Sequence, residues 1–407
     1  MRSIRLGSMG LRVAVSLGVT LGAWISSSAQ SLTWLGTLGG DRSWAYSVSA
    51  DGRVVVGWST DSLQRIRAFR WENGVMQNLG TLGGNLSVAH GVSANGLIVV
   101  GGAAEVSGQP RAFRWVGGPM QNLGVLPGTI ASEARGISAD GRIIVGWCRD
   151  SAGRLRAFRW ENGVMQDLGI PSSNLSWAAA VSADGTVIVG AVRDAAGLPR
   201  AFRWENGNIV DIGLLPGTIE SEAGGVSADG QVVVGWCRDS AARLFAFRWE
   251  NGVMRNLGTL GGEWSWAHGA SADGDIVVGR STDSSGNPRA FRWTAATQTM
   301  EDLNVTYASL LQGGSTLQHA YAVSPDGRFI VGMGYNAATG RFEGFLLDTG
   351  FPPRGDVNRN GCVDDTDLLA VLFAFGGPGY RNEDINWDGI VDDADLLIVL
   401  FNFGSGC

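Results

Sequence analysis

The fold is decided by a stretch that recurs along the chain, and its first copy, residues 48–80, reads VSADGRVVVGWSTDSLQRIRAFRWENGVMQNLG. Runs of β-branched and aromatic residues alternate here with the tight turns Ala-Asp-Gly and Glu-Asn-Gly. Such runs, bounded by Asp-Gly and Asn-Gly, predict antiparallel hairpins. Each copy therefore predicts four strands: Val-Ser-Ala, the β-branched run ending in Gly, Ala-Phe-Arg-Trp, and the run ending in Leu-Gly.

The period of the repeat indicates the architecture. Successive turns are 44, 45, 44, 45, 44 and 53 residues apart, and a period near 44 is typical of a propeller blade. We therefore predict an all-β, seven-bladed β-propeller over residues 30–350. The turns are centred on Asp51, Asn95, Asp140, Asp184, Asp229, Asp273 and Asp326.

The ends of the repeat array predict how the ring closes. The seventh copy reaches its third strand at Gly344–Leu347 and then stops, whereas an unmatched fourth-type strand, Leu32–Gly36, precedes the first copy. We expect this N-terminal strand to complete the last blade, because closure removes exposed sheet edges. An open solenoid is the alternative, although such arrays normally carry capping repeats.

Residues 31–350 resemble the extracellular HAF-type repeat family through Ala-Phe-Arg-Trp, Leu-Gly-Thr-Leu-Gly-Gly and Ser-Ala-Asp-Gly. The resemblance implies an extracellular location and no settled biochemical activity. The sequence departs from the family where a His usually precedes Ala-Phe. That position is occupied here by Arg67, Arg111, Arg156, Arg200, Phe245 and Arg289.

Positions that vary between copies are the candidates for ligand binding, since binding residues tend to lie on variable loops over a rigid scaffold. Two positions, five and seven residues before the turn Asp or Asn, bring aromatic and polar residues to the start of the innermost strand. Convergence on a concave mouth suits sugar or peptide binding. The alternative is that these side chains only fill the channel. The candidates are Tyr46, His90, Arg135, His268, Tyr321, Trp44, Trp177 and Trp266.

Catalysis has little support in the sequence. Glu133 and Glu222 occupy equivalent positions and form the pair of carboxylates that glycoside hydrolysis needs. Both lie in a duplicated pair of blades, so copying explains them without catalysis. The sequence contains neither a Gly-x-Ser-x-Gly elbow nor a His-Glu-x-x-His zinc helix. We therefore predict no enzyme activity.

The N-terminus has the pattern of a secretory signal peptide. Arg2, Arg5 and Arg12 precede a short apolar run, and Ser27-Ser28-Ala29 fits a cleavage site. We expect residues 1–29 to be removed, which leaves no membrane span. A membrane anchor is the alternative, but the apolar run is short for one.

The C-terminal part, residues 354–407, follows a short linker, residues 351–353, and contains two loops of one pattern. Oxygen-bearing side chains occupy loop positions 1, 3, 5, 9 and 12, with Gly at position 6, which is the pattern of EF-hand calcium loops. We predict two bound Ca²⁺ ions, the alternative being two acidic turns without metal. Counting the backbone carbonyl at position 7, the predicted ligands are Asp356, Asn358, Asn360, Cys362, Asp364 and Asp367, and Asp384, Asn386, Asp388, Ile390, Asp392 and Asp395.

Each loop is followed by an apolar helix, predicted at Leu368–Phe375 and Leu396–Phe403, and the whole unit repeats after 28 residues. This loop–helix pair resembles a type I dockerin, a small all-α calcium-binding domain. The resemblance implies docking onto a cohesin-like or cell-surface protein. It also implies that the ends of the domain meet, so that Cys362 and Cys407 form a disulfide. Loop positions 10 and 11, Asp365-Thr366 and Asp393-Ala394, depart from the Ser-Thr pairs common in that family.

Composition narrows the function further. The net charge of −7 argues against nucleic acid as a partner. We therefore predict a secreted, bacterial-type, extracellular or cell-surface protein without catalytic activity. Its propeller would bind a glycan or protein ligand, and its tail would dock in a calcium-dependent manner. The alternative is a dockerin-bearing enzyme that acts on extracellular polysaccharide.

Overall fold

The computed structural model describes residues 30–170 and 175–407, and the predicted signal peptide lies outside this range. The chain is mostly β. Within the described ranges it forms five four-stranded antiparallel sheets and one eight-stranded sheet, and the larger sheet consists of two further four-stranded units. Among the same residues, no helix has both the length and the apolar character that crossing a membrane requires.

Each four-stranded unit runs in order from its first to its fourth strand, numbered here along the chain. The first strands are β2 (Gly39–Val48), β6 (Gly83–Val92), β10 (Ala131–Ile137), β14 (Ser176–Val181), β18 (Thr218–Val226), β22 (Gly261–Ala270) and β26 (Thr316–Val323). The second strands are β3 (Val54–Asp61), β7 (Val99–Glu105), β11 (Ile144–Arg149), β15 (Val187–Arg193), β19 (Val232–Asp239), β23 (Ile276–Asp283) and β27 (Phe329–Asn336).

The outer strands complete the units. The third strands are β4 (Ile66–Glu72), β8 (Pro110–Trp115), β12 (Leu155–Glu161), β16 (Pro199–Glu205), β20 (Leu244–Glu250), β24 (Pro288–Thr294) and β28 (Arg341–Asp348). The fourth strands are β5 (Val75–Asn78), β9 (Gln121–Asn122), β13 (Val164–Asp167), β17 (Asn208–Asp211), β21 (Val253–Asn256), β25 (Met300–Asp302) and, for the last unit, β1 (Ser31–Trp34).

The Ala-Asp-Gly turn is held by its own side chains. Ser49 Oγ donates to Asp51 Oδ1 at 2.7 Å, and the same carboxylate accepts from Arg53 N at 3.0 Å. Gly52 has a φ of +73°, and a Cβ there would lie 2.5 Å from the ring of Phe329 in the neighbouring unit. The turn therefore requires glycine both for its backbone conformation and for close packing between units.

The core of each unit is built on the third strand. The Phe of Ala-Phe-Arg-Trp, or of Gly-Phe-Leu-Leu in the last unit, is fully buried in every unit of the described chain, at Phe69, Phe113, Phe158, Phe202, Phe247, Phe291 and Phe345. The following Arg links units, as when Arg70 Nε donates to Gly96 O at 3.1 Å. The Trp of the first unit, Trp71, is buried against Val331 of the last unit. The repeated residues thus serve packing between neighbours.

The last and first units meet at a seam made by β1. This strand pairs antiparallel with β28 from Ser31–Asp348 to Trp34–Phe345. Gly344 N donates to Ser43 Oγ at 2.9 Å, and Ser43 Oγ donates to Gly36 O at 2.6 Å. In the next unit, Ser87 Oγ makes the same two hydrogen bonds, with Ala68 N and Gly80 O. The seam therefore has the same hydrogen bonds as the junction between the first and second units. No covalent link connects β28 to β1.

A belt of backbone hydrogen bonds connects the tight turns of successive units. Each turn alanine donates its N–H to the carbonyl of the equivalent residue in the next unit, in the order Ala50, Ala94, Ala139, Ala183, Ala228, Ala272 and Pro325. The belt breaks at Pro325, because proline has no N–H to donate to Ala50. The first strands β2 and β26 contact each other across this break.

The longer spacing before the last turn contains a small insertion that the sequence did not predict. Helix α1 (Leu303–Thr306) and the 3₁₀ turn Ala308–Leu310 lie between β25 and β26. Asp302 caps α1 by accepting from Asn304 N at 2.8 Å. Leu303 and Tyr307 are buried in the core between the last two units, so the insertion fills that junction.

The C-terminal part contains α2 (Asp365–Ala374) and α3 (Asp393–Asn402). Both begin three residues earlier than predicted from the apolar runs, because Asp364 and Asp392 act as N-caps within reciprocal capping boxes. The two helices enclose a small core of valines. Its buried members are Val357, Val363, Val371, Val391 and Val399.

A disulfide joins Cys362 to Cys407, whereas Cys148 and Cys237 are free and buried. We expect non-reducing peptide mapping to recover Cys362 and Cys407 as a linked pair. Cys148 and Cys237 should react with iodoacetamide only after unfolding, because burial raises the pKa of both thiols. A crosslink between Cys148 and Cys237 would contradict this expectation. Cys362 and Cys407 are 45 residues apart in sequence. In the chain-entropy model, a disulfide that closes a loop of this size stabilises the folded state by about 4 kcal/mol.

Candidate functional site

A concave mouth opens at the ends of the first strands that lie opposite the tight turns. It encloses a cavity of about 670 Å³ lined by the first strands and the neighbouring second strands. Seven of the eight predicted ligand-binding residues line it within the described chain, namely Tyr46, His90, Arg135, Trp177, Trp266, His268 and Tyr321. The remaining candidate, Trp44, instead stacks on Trp58, with ring centroids 4.5 Å apart.

Aromatic rings form a connected group around the mouth. Tyr46 stacks on His90 at 5.5 Å and meets Tyr321 edge-on at 4.9 Å. Tyr321 in turn contacts His268 at 5.0 Å, and His268 stacks on Trp266 at 5.4 Å. Aromatic contacts of this kind hold rings in fixed orientations. The aromatic rings at the base of the mouth therefore hold one another in fixed orientations.

Glu133 is held by two basic side chains. His90 Nε2 and Arg135 Nε each lie 2.9 Å from Glu133 Oε1. Burial alone would raise the pKa of Glu133, but the hydrogen bond from His90 and the charge of Arg135 bring it below its usual value. Burial and Arg135 lower the pKa of His90. At neutral pH the group therefore combines an ionised carboxylate, a neutral imidazole and a guanidinium.

Glu222 occupies the position equivalent to that of Glu133 in the other copy of the duplicated pair of units. Its environment is different. It accepts a hydrogen bond from the indole N–H of Trp177 at 3.0 Å. Burial raises its pKa, and this effect outweighs the hydrogen bond and the charge of Arg135. Two carboxylates at equivalent positions therefore have pKa values moved in opposite directions.

His268, which lines the mouth, and His319, which stacks on Tyr321 beside it, are both kept neutral. Burial lowers the pKa of His268 to about 3, with His319 and Arg280 adding to the effect. Burial and Arg280 lower the pKa of His319 to about 4. The Nε2 atom of His268 is buried and has no hydrogen-bond partner in the described chain.

Several lining residues come from the second strands and were missed by the sequence analysis. Trp147 and Trp236 line the cavity and pair across the sheet with Glu133 and Glu222. Each follows the glycine that ends the β-branched run, a position that varies between units as much as the first-strand positions do. Comparing that position between copies would have identified them.

The first C-terminal loop is closed by hydrogen bonds between its oxygen-bearing side chains and its own backbone. Asp356 accepts from Asn360 N at 3.1 Å and from Gly361 N at 2.9 Å. Asp367, at the end of the loop, accepts from Val357 N at 2.8 Å and from Asp364 N at 2.9 Å. Positions 1 and 12 are thereby drawn together.

The second loop is closed by equivalent hydrogen bonds. Asp384 accepts from Asp388 N at 3.2 Å and from Gly389 N at 3.0 Å, and Asp395 accepts from Asn386 N and Asp392 N, each at 3.0 Å. Burial raises the pKa of Asp384, and repulsion by Asp395 and Asp388 adds to it. Burial likewise raises the pKa of Asp356, with repulsion by Asp367 adding to it.

The donor set of these loops fits a hard cation. In the described chain no group of three or more His, Cys, Asp and Glu side chains alone has the arrangement of a metal site. The loops instead combine carboxylates with asparagine amides and backbone carbonyls, which are the oxygen donors that calcium prefers. Asp356, Asp367, Asp384 and Asp395 are at most 5% exposed. Carboxylates buried to this degree are stabilised by a bound cation.

Neither protein-family models nor curated proteins give a significant match to this sequence. Similarity to solved structures is found at low identity. A protein described as a TolB from Agrobacterium tumefaciens is 14% identical, with a TM-score of 0.43 over 54% of this chain and 81% of that one. TolB from Acinetobacter baumannii is 12% identical, with a TM-score of 0.43 over 77% of this chain and 65% of that one.

A prolyl endopeptidase structure is 13% identical, with a TM-score of 0.50 over 75% of this chain and 46% of that one. The chain thus spans less than half of the endopeptidase and just under two thirds of the Acinetobacter TolB. At these identities the similarity concerns the fold alone.

Proposed function

We propose that the four-stranded units are the blades of a seven-bladed β-propeller whose mouth binds an extracellular ligand without chemically changing it. The fold proposal is supported by the contact between β2 and β26 and by the pairing of β1 with β28. Both bring the last unit against the first, as a ring requires.

The observation that carries the binding function is the convergence of Trp147, Trp177, Trp236 and Trp266 on one cavity of about 670 Å³. This volume lies within the range of small-ligand sites, which combine apolar walls with a few polar groups. Glu222, Arg135 and the His90–Glu133 pair supply the polar groups. We propose a glycan as the ligand, because aromatic faces suit the apolar faces of sugar rings while carboxylates and guanidinium pair with hydroxyls.

Replacing Trp177 and Trp266 together with alanine should weaken glycan binding by about 30-fold or more, the range expected for central tryptophan contacts. A glycan array would first identify a ligand, and calorimetry would then compare the variants. Trp264→Ala is the matched control, since Trp264 is half exposed and does not line the mouth in the described chain. Trp44→Ala should have a smaller effect, because Trp44 stacks on Trp58. Full binding by the folded double variant would place the site elsewhere.

We also propose that each C-terminal loop binds one Ca²⁺ ion. Side-chain ligands would come from Asp356, Asn358, Asn360, Asp364 and Asp367 at one site, and from Asp384, Asn386, Asp388, Asp392 and Asp395 at the other. The backbone carbonyls of Cys362 and Ile390 would add the ligands of position 7. When bound, the ions would neutralise buried carboxylates and so favour the folded loops.

The tail would serve as an attachment module for a secreted protein, binding a cohesin-like or cell-surface partner. Support comes from apolar side chains that are exposed at equivalent places on α2 and α3. Phe373 and Phe401 are 87% and 84% exposed, and exposed apolar patches of this kind mark interaction sites. The other members of the patch are Leu369, Leu372, Phe375, Leu397, Leu400 and Phe403.

The enzyme alternative is favoured by one observation. The pKa of Glu222 is raised and that of Glu133 is lowered, which is the relation between general acid and base in glycoside hydrolases. Product analysis after incubation with the polysaccharide found in the array would detect cleavage. Cleavage abolished by Glu222→Gln, with binding retained, would establish the enzyme; unchanged polysaccharide would support the binding protein.

A further inference from the structure

The fourth residue of each C-terminal loop contacts the ring. Arg359 Nη1 lies 2.6 Å from Asp273 Oδ2, the turn carboxylate of the sixth unit. Its Nη2 atom donates to the carbonyl of Pro325 at 3.4 Å. The Arg359 side chain is 15% exposed and that of Asp273 is 29% exposed, so this ion pair is largely removed from water.

Trp387, at the same position of the second loop, lies at the tight-turn end of the channel. It is 5% exposed and lines one cavity together with the turn residues around the axis, including Ala50, Ala139 and Ala228. Both residues have positive φ, 58° at Arg359 and 60° at Trp387. The two loops therefore present one structural position to one face of the ring.

The contact lies where the ring is interrupted. Pro325, which breaks the belt of turn hydrogen bonds, is the residue whose carbonyl accepts from Arg359. Ala50 and Asp51 on one side of this break, and Asp326 on the other, share a cavity of about 270 Å³ with Asp356 and Pro353 of the C-terminal part. The tail thus covers the seam between the last and first units.

From this geometry we infer that the C-terminal module is a calcium-dependent plug of the ring, in which ordering of the loops and docking of Arg359 and Trp387 are energetically coupled. The inference rests on the calcium sites proposed above. Arg359 stands between the proposed ligands Asn358 and Asn360, and Trp387 stands between Asn386 and Asp388. Ordering the ligands at positions 3 and 5 therefore also orders the residue at position 4, which docks onto the ring.

Coupling is reciprocal, so a change in the ring must alter calcium affinity in the tail. Asp273→Asn removes the charged partner of Arg359 at a place more than 80 residues from the first loop in sequence. Asp229→Asn is the matched control, because Asp229 makes the same turn hydrogen bonds to Ser227 and Gln231 that Asp273 makes to Ser271 and Asp275. The ion pair with Arg359 belongs to Asp273.

Calorimetric titration of the full chain with CaCl₂ should show affinity weakened roughly tenfold by Asp273→Asn and by Trp387→Ala, a size typical of coupled sites. Asp229→Asn should leave the affinity unchanged. In parallel, calcium should slow hydrogen exchange in the turn peptides 270–275 and 323–328 of the wild type and have less effect on them in Trp387→Ala. Circular dichroism would check that each variant is folded, and Arg359→Gln replaces Trp387→Ala should the latter fail to fold.

The outcomes separate the two proposals. Wild-type protein that binds no calcium would overturn the calcium sites and the coupling with them. Calcium binding that is equally strong in the wild type, Asp273→Asn and Trp387→Ala would overturn the coupling alone and leave the calcium sites standing. A loss shared equally by Asp229→Asn and Asp273→Asn would also overturn it, because the effect would then belong to turn stability.

Discussion

A chain that begins at Gly39, and so lacks β1, should melt about 10 °C lower than one that begins at Gln30, or should aggregate. The deletion removes the strand that pairs with β28, including the edge-on contact of Trp34 with Phe345 at 6.3 Å. It also removes Leu35, which is buried in the seam. Burying side chains of this size contributes roughly 2 kcal/mol each, and each kcal/mol corresponds to a few degrees. Differential scanning calorimetry would measure the shift.

Two further variants make this test specific. Removal of Gln30 alone, which is exposed, should leave the melting temperature unchanged. Trp34→Ala combined with Leu35→Ala should produce a large part of the shift while keeping the backbone of β1. An identical melting curve for the chain that begins at Gly39 would show that β1 does not close the ring.

Chelation of calcium should unfold the isolated C-terminal module, residues 354–407, with loss of most of its helical circular dichroism. The expectation follows from the proposed sites and from the small valine core, since metal binding to such a module becomes folding free energy. Extracellular calcium modules bind at about 10⁻⁴–10⁻³ M, so millimolar calcium should restore the signal.

Charge-matched variants separate ligation from general electrostatics. Asp356→Ala with Asp384→Ala removes a ligand from each loop and should abolish the calcium response. Asp365→Ala with Asp393→Ala removes the same charge at exposed positions that are not proposed ligands, and should leave the response intact. Helix content that ignores calcium in the wild-type module, with no heat of binding, would rule out both sites.

The repeat made much of the architecture predictable. Asp-Gly and Asn-Gly turns determine where hairpins form, and a 44-residue period determines how many strands each unit has, so the four-stranded antiparallel sheets follow from local chemistry. The variable positions before each turn were recognisable by comparing copies within one chain. That comparison identified Tyr46, His90 and Arg135 as neighbours, because equivalent positions of successive units must lie around one axis.

Other features depend on contacts between distant parts of the chain. Nothing local to Arg359 or Trp387 indicates that they face the tight turns, since loop position 4 is not a calcium ligand. The lowered pKa of Glu133 depends on His90, which lies in another unit. The raised pKa of Glu222 comes from burial, which outweighs the hydrogen bond from Trp177 of another unit. The early start of α2 was missed because apolar periodicity does not register an N-cap such as Asp364.

The seam between β1 and β28 determines how the protein behaves when it is divided into separate pieces. β1 is joined to β28 by hydrogen bonds and packing, and the short segment before Gly39 connects it to β2. A different molecule could therefore supply this strand. At high concentration, two copies could exchange this segment and form interlocked dimers. A synthetic peptide covering residues 30–38 should, by the same reasoning, bind the chain that begins at Gly39 and restore its melting temperature.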